Sequence, residues 1–88
     1  MVHKEFQIVN KLGLHARASA LFVKTASQFK SEITLKRESI EVNGKSIMGI
    51  MMLAAAKGTM VTLKAEGDDE EQALEGIGTL IQNGFGEE

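Results

Sequence analysis

A histidine and an arginine two residues apart, His15 and Arg17, are the side chains best suited to chemistry in this 88-residue sequence. Gly13 precedes them and gives the backbone freedom to turn, and apolar residues with helical spacing begin just after them. The first amides of a helix have no acceptor within the helix and carry partial positive charge, so the backbone amide of Ala16 can bind an anion. A neutral imidazole beside such amides can accept a phosphoryl group. A guanidinium can hold the phosphate oxygens.

Both side chains also have ordinary structural interpretations. A single histidine can cap a helix with no chemical role, and an arginine of the first turn can simply be solvated. A cation at the start of a helix opposes the helix dipole, however, and a bound phosphate would reverse that penalty. We therefore predict that His15 is a phosphoryl acceptor and that Arg17 stabilises the phosphate.

A second group of candidate residues follows the turn signal Asn43-Gly44. Ser46 stands at the N-cap position of a predicted helix, where a serine hydroxyl accepts a hydrogen bond from the backbone. Phosphate added at such a position is also electrostatically tolerated. The helix that follows is too apolar to bury every side chain, so we expect one or two of them, above all Ile47 and Met48, to be exposed as a protein-docking patch. The candidates for partner docking are Ile47, Met48 and Met51.

Composition argues against several other classes of function. A formal net charge of −2 provides no basic surface for nucleic acid, and Phe6 is the one aromatic residue on a predicted strand, which argues against base stacking on a sheet. With no cysteine and two histidines, neither a metal site nor a cofactor is expected. Residues 1–12 lack an apolar signal core, and no apolar stretch of about 20 residues is present to enter a membrane. We expect a small soluble protein of the cytoplasm.

The apolar periodicity predicts strand, helix, strand, strand, helix, strand, helix. The predicted elements are a strand over 2–8, a helix from Ala16 to about Phe29, strands over 32–36 and 40–42, a helix from Ser46 through Lys57 stopped by Gly58, a strand over 61–66, and a last helix begun by an acidic capping box of Asp68 and Glu71. Each strand has one apolar face, which is typical of an antiparallel sheet covered on one side. The predicted fold is α+β in two layers, with residues 1–88 forming a single domain.

The chain resembles the HPr family, the histidine-containing phosphocarriers of the bacterial phosphoenolpyruvate-dependent phosphotransferase system. The resemblance rests on NKLGLHAR at residues 10–17, GKSIMGIM at residues 44–51 and AAKG at residues 55–58. It implies an open-faced β-sandwich, with a four-stranded antiparallel sheet and three helices on one face (βαββαβα). It also implies that His15 receives a phosphoryl group on Nδ1 from enzyme I and passes it to EIIA proteins of sugar permeases. Such a chain is a carrier with a phosphohistidine intermediate rather than a stand-alone enzyme.

The resemblance further implies regulation at Ser46, which matches the serine that an HPr kinase/phosphorylase modifies in many relatives. The added charge would weaken contact with enzyme I. A monomer is expected. One departure from the family is Ala18, where proline is usual; alanine is an excellent helix former, so we expect the helix to survive and transfer to be slowed or altered at most.

Two alternatives stay open within this family. The stretch from Ala54 onward, with Asn83-Gly84-Phe85 near its end, also resembles the nitrogen-branch phosphocarriers, which regulate and do not transport sugar. The second alternative is a purely regulatory module that binds partners without relaying phosphate. The serine motif favours the form controlled by an HPr kinase.

Overall fold

The computed structural model of the protein describes residues 1–87, and its elements follow the predicted order. They are β1 (Val2–Gln7), α1 (Ala16–Ala26), β2 (Glu32–Arg37), β3 (Ile40–Asn43), α2 (Ile47–Met52), β4 (Met60–Glu66) and α3 (Glu70–Gln82), followed by a short 3-10 turn over Gly84–Gly86. We refer to Gly84–Gly86 as the C-terminal turn.

The four strands form one antiparallel sheet in the order β1-β4-β2-β3. Phe6 of β1 is paired with Val61 of β4, and Leu63 of β4 with Leu35 of β2. All four side chains are buried, because alternate residues of a strand point to the same face. The sheet therefore has one apolar face, and the prediction of an open-faced α+β sandwich is confirmed.

The helices cover that face with stripes of small and large apolar residues. On α1, Ala18, Phe22 and Ala26 recur every four residues and are fully buried, as the periodicity predicted. The corresponding buried residues on α3 and α2 are Ala73, Ile77, Ile81 and Ile50. The core is one cluster between the sheet and the helices, and it includes Leu14 and Ala18 on either side of the start of α1.

The helix α2 is shorter than predicted. It ends at Met52 rather than Lys57, because Ala54 adopts a left-handed backbone conformation with φ of 51° and so leaves the helical path. The carbonyl of Ala55 then accepts a hydrogen bond from the amide of Leu14 at 2.9 Å. Gly58 therefore lies well beyond the end of the helix and does not stop it.

The end of α1 and the start of α3 also differ from the prediction, and one carboxylate accounts for both. The helix α1 stops at Ala26 rather than Phe29, since the chain turns so that the amides of Lys30 and Ser31 donate to Asp69 at 2.8 and 3.0 Å. The Ser31 hydroxyl also donates to this carboxylate. That bond is the main cause, followed by the bond from the Lys30 amide, that lowers the pKa of the Asp69 carboxyl from its usual value.

The predicted acidic capping box of Asp68 and Glu71 is wrong. Asp69 occupies the N-cap position of α3, and its side chain makes no capping bond. The backward contact of a capping box forms one residue earlier, where the Gly67 amide donates to Glu70 Oε1 at 3.2 Å. Four acidic residues in a row offer several registers, and the sequence alone does not distinguish them.

Candidate functional site

His15 is the N-cap residue of α1, and its own imidazole makes the capping bond. Its backbone is extended, with φ of −75° and ψ of −177°, and its Nδ1 accepts a hydrogen bond from the backbone amide of Arg17 at 3.2 Å. The amide of Ser19 donates to the His15 carbonyl at 2.9 Å and opens the α1 ladder. The helix thus begins where the sequence predicts, in spite of Ala18.

The loop before His15 is held from two sides. Gly13 has a left-handed φ of 65°, and a Cβ on it would lie 2.4 Å from the carbonyl oxygen of Ala55, so another residue type would not fit. The neighbouring Leu14 amide donates to that same oxygen. On the other side, the buried Asn10 donates to the Gly13 carbonyl at 2.7 Å. These contacts fix the direction in which the loop delivers His15 to the helix start.

An anion has access to the groups that the sequence analysis singled out. The His15 side chain is 28% exposed, and Ala16 and Arg17 are both exposed. Among residues 1–87, no hydrogen-bond acceptor is paired with the Ala16 amide. The structure therefore brings together the imidazole, the Ala16 amide and the Arg17 side chain at one helix N-terminus.

A carboxylate that the sequence analysis did not identify completes this group. One oxygen of Glu87 is closely paired with His15 Nε2, and the other accepts a hydrogen bond from Asn10 Nδ2 at 3.3 Å. The bond to His15 is the main cause that lowers the pKa of the Glu87 carboxyl below its usual range. A charged residue 72 positions away in the sequence gives no local signal of this contact.

The C-terminal turn carries Glu87 back to the histidine. Gly84, Phe85 and Gly86 all have left-handed backbone conformations, with φ of 63°, 58° and 75°. Such a φ is uncommon for phenylalanine, and here the ring is buried with 4% exposure in the core. The burial of Phe85 thus anchors the C-terminal turn to the core, and the Glu87 amide closes the turn by donating to the Gly84 carbonyl at 3.0 Å.

An open surface depression surrounds the imidazole. It is lined by Lys11, Leu12, His15, Arg17, Gly86 and Glu87. The lining thus includes two cationic side chains beside the carboxylate that is paired with the ring, a composition that suits a phosphoryl group better than a neutral ligand. No cluster of three or more metal-ligating side chains occurs within residues 1–87.

Ser46 lies at the start of α2, and its predicted N-cap position is confirmed. Its Oγ accepts a hydrogen bond from the Gly49 amide at 3.1 Å, and the residue is partly exposed. The turn before it is closed by the Asn43 side chain, which accepts from the Lys45 amide at 2.8 Å.

The helix α2 exposes more apolar surface than the sequence analysis expected. Ile47 and Met48 are exposed, as expected, the latter by 75%. We define the α2 patch as the exposed side chains Ile47, Met48, Met51 and Met52. Ile50 is the buried residue of this helix, and α2 packs against α1, which begins next to His15. Exposed methionines are typical of adaptable protein-binding surfaces.

Comparison with known proteins identifies relatives along nearly the whole chain. Residues 2–83 match the family model described as the PTS HPr component phosphorylation site. The phosphocarrier protein HPr of Neisseria meningitidis is 55% identical over 87 residues, which is 99% of this chain and 98% of the relative. The crystal structure of HPr-C-His from Thermoanaerobacter tengcongensis matches with a TM-score of 0.96 at 52% sequence identity. The match covers 100% of this chain and 99% of the other.

Two further relatives bear on function and assembly. The HPr-like protein Crh of Bacillus subtilis is 46% identical over 82 residues, covering 93% of this chain and 96% of Crh. A crystal structure described as an HPr dimer from T. tengcongensis matches with a TM-score of 0.79 at 52% identity, over 99% of this chain and all of the other. The expectation of a monomer therefore has no support from the solved relatives. No helix in the described part of the chain has the length and apolarity needed to cross a membrane.

Proposed function

This chain belongs to the HPr family of the bacterial phosphotransferase system, and from that premise we propose that it is a phosphocarrier whose His15 accepts a phosphoryl group from enzyme I and passes it to EIIA proteins of sugar permeases. The observation that carries the proposal is the imidazole at the start of α1, beside the exposed Arg17 and the Ala16 amide, which has no acceptor among residues 1–87. We propose that this relay operates in the cytoplasm, which the family resemblance supports.

The geometry supports attack by Nδ1. The lone pair of Nδ1 attacks the phosphorus of the phosphohistidine of enzyme I, and the phosphorus–nitrogen bond of the donor breaks as the new bond forms. The Arg17 amide, which donates to Nδ1 in the resting structure, is then released to donate to a phosphoryl oxygen together with the Ala16 amide. The Arg17 guanidinium balances the charge that arrives. Transfer to an EIIA protein follows the same path in reverse.

Labelling with enzyme I and radioactive phosphoenolpyruvate tests this proposal. We expect one acid-labile, base-stable phosphate per chain, lost completely in His15→Ala. The matched control is His3→Ala, which removes the other histidine, an exposed residue of β1, and should be labelled like the wild type. Equal labelling of the His15→Ala variant would overturn the proposal.

We also propose that Ser46 is the target of an ATP-dependent HPr kinase/phosphorylase. Phosphate on its Oγ can still accept the Gly49 amide at the start of α2, so the helix tolerates the modification. The new charge would stand next to the α2 patch, which we propose as the docking surface for enzyme I and EIIA proteins. Desolvating that charge in an apolar interface weakens binding.

Binding of enzyme I to Ser46→Asp and Ser46→Ala tests the regulatory site. We expect the aspartate variant to bind about tenfold more weakly and to be phosphorylated on His15 more slowly, with the alanine variant close to wild type. Equal binding of the two variants would contradict this role. Direct incubation with the kinase and ATP should give acid-stable phosphate, which Ser46→Ala does not incorporate.

A second candidate function is regulation without sugar transport, and the similarity to Crh is the observation that favours it. A regulatory module would bind its partners while an intact His15 stays unphosphorylated by enzyme I. A nitrogen-branch carrier would be phosphorylated but would not restore growth on a transported sugar in a strain that lacks HPr. Labelling and growth complementation together therefore separate the three functions.

A further inference from the structure

We propose that Glu87 is a positioning residue for phosphoryl transfer: its carboxylate holds the proton on Nε2 of His15 and thereby presents the lone pair of Nδ1 to the incoming phosphorus. This inference rests on the proposed function of His15 as the phosphoryl acceptor. It concerns a residue outside the matched range of the family model, which covers residues 2–83.

The two ring nitrogens of His15 have hydrogen-bond partners of opposite kind. A neutral imidazole has one N–H donor and one acceptor nitrogen. The Glu87 carboxylate can only accept, so Nε2 must donate to it. The backbone amide of Arg17 can only donate, so Nδ1 must be the acceptor. Both contacts select the same tautomer, in which Nδ1 is the nucleophile.

The carboxylate is itself held in place. Asn10 is buried, and its Nδ2 donates both to Glu87 Oε1 and to the Gly13 carbonyl of the loop that carries His15. The C-terminal turn, anchored by Phe85, closes on the Glu87 backbone. The Glu87 side chain is only 17% exposed. A partner fixed by its own contacts orients a histidine more firmly than a freely rotating surface carboxylate would.

The position of Glu87 also suits the product of the transfer. When Nδ1 has taken the phosphoryl group and Nε2 keeps its proton, the ring carries a positive charge. A carboxylate at Nε2 stabilises that cation, as carboxylates do for other catalytic histidines. It does so from the edge of the ring away from the helix start, where the phosphate is bound. A protonated ring is also the better leaving group for passing the phosphoryl group onward.

The same contact disfavours reaction at the other nitrogen. For Nε2 to attack phosphorus, it would have to give up its proton and the phosphoryl group would have to displace Glu87. The phosphate would then lie away from the Ala16 amide. We infer that Glu87 contributes to placing the phosphate on Nδ1.

Three variants test this inference: Glu87→Ala, Glu87→Gln and the control Glu75→Gln. Glu75 is an exposed residue of α3 away from the depression, so its variant reports the effect of charge alone. In rapid-mixing experiments with phosphorylated enzyme I, we expect the maximal transfer rate of Glu87→Ala to fall about ten- to hundredfold, with little change in the half-saturating carrier concentration. Glu87→Gln retains an acceptor oxygen and should recover part of the loss.

Nuclear magnetic resonance of the His15 ring protons distinguishes positioning from a general effect on the fold. In the wild type the Nε2 proton should give a downfield, slowly exchanging signal, and this signal should vanish in Glu87→Ala while the remaining spectrum stays folded. A wild type that is phosphorylated on His15, with Glu87→Ala reacting at the same rate, would overturn this inference alone. An unphosphorylated wild type would instead overturn the proposed function. Equal slowing of Glu75→Gln would also count against positioning.

Discussion

At the residue scale, His15 serves two purposes at once. Its Nδ1 caps α1 by accepting the Arg17 amide, so the contact that stabilises the helix in the resting state is the one that must open during transfer. Gly13, His15 and Arg17 were all identifiable in the sequence because they are neighbours at a helix start. Glu87 was not, since its contact depends on a left-handed turn and on the burial of Phe85.

Replacing Arg17 tests the part that its guanidinium plays. The side chain is exposed, so Arg17→Ala should leave the fold and the backbone capping bond intact. Hydrogen bonds to charged groups are typically worth enough to change a rate by about ten- to hundredfold, and we expect a loss of that size in the transfer rate from enzyme I. The control Lys24→Ala removes a cation from the other end of α1 and should transfer normally. An equal loss in both variants would point to net charge rather than to Arg17.

Restoring proline at position 18 tests the one departure from the family pattern. The α1 ladder opens with the Ser19 amide, so a proline at 18 removes no hydrogen bond of the helix. We expect Ala18→Pro to raise the free energy of unfolding by about 0.4–1 kcal/mol and to change the transfer rate by less than about tenfold. Ala20→Pro, inside the helix, should instead cost about 3 kcal/mol. An inactive wild type revived by proline would contradict this prediction.

At the scale of elements, the sequence predicted the order of strands and helices but misplaced three helix ends. Alternation and helical stripes depend on burial, which the core satisfies in the three helices and in β1, β2 and β4. The strand β3 is the exception, since its Ile40 is exposed and its Val42 is only partly buried. The ends depend on contacts with distant residues. The carbonyl of Ala55 accepts the Leu14 amide, and Asp69 accepts amides that follow α1. A run of small apolar residues such as Ala54–Ala56 is compatible with either a helix or a turn.

The contacts of Asp69 predict a pH dependence of stability. Its pKa is lowered in the folded protein from an ordinary value of about 3.9. The carboxylate therefore stabilises the fold fully above the ordinary value, and this contribution is lost as the pH falls through the lowered one. Thermal melts should show Asp69→Asn with a lower Tm than the wild type at pH 7 and a shrinking difference below about pH 3.9.

The neighbouring acid is the control for that experiment. Asp68 is exposed and should lose little stability when replaced by asparagine. A difference between wild type and Asp69→Asn that stays constant down to acid pH would mean that the bonds to Lys30 and Ser31 do not depend on the charge of Asp69.

At the scale of the whole molecule, α3 packs so closely against β1 that the core has little space for an added side chain. Gly78 of α3 lies against Phe6 of β1, and a Cβ at this glycine would be 2.5 Å from the tip of the ring. Alanine favours a helix over glycine by about 1 kcal/mol, whereas overpacking costs about 1–3 kcal/mol. We expect overpacking to win.

Denaturant unfolding of two glycine variants on the same helix checks this expectation. Gly78→Ala should lower the free energy of unfolding by up to about 2 kcal/mol. Gly76→Ala meets only the outer end of the partly buried Phe29 ring at 3.1 Å, which can yield, so its stability should be unchanged or higher. A Gly78→Ala variant as stable as Gly76→Ala would show that the Phe6 ring yields to the added methyl group.

The bond from the Leu14 amide to the Ala55 carbonyl ties the residue before the histidine to the segment that leaves α2. Amides in the sheet exchange with deuterium mainly when the whole protein opens, whereas an amide in a loop exchanges through local opening. Deuterium uptake at this single position therefore reports how tightly the two segments are held together. Slower uptake in the presence of enzyme I would reveal that binding of this partner holds the loop before His15 more tightly to the segment after α2.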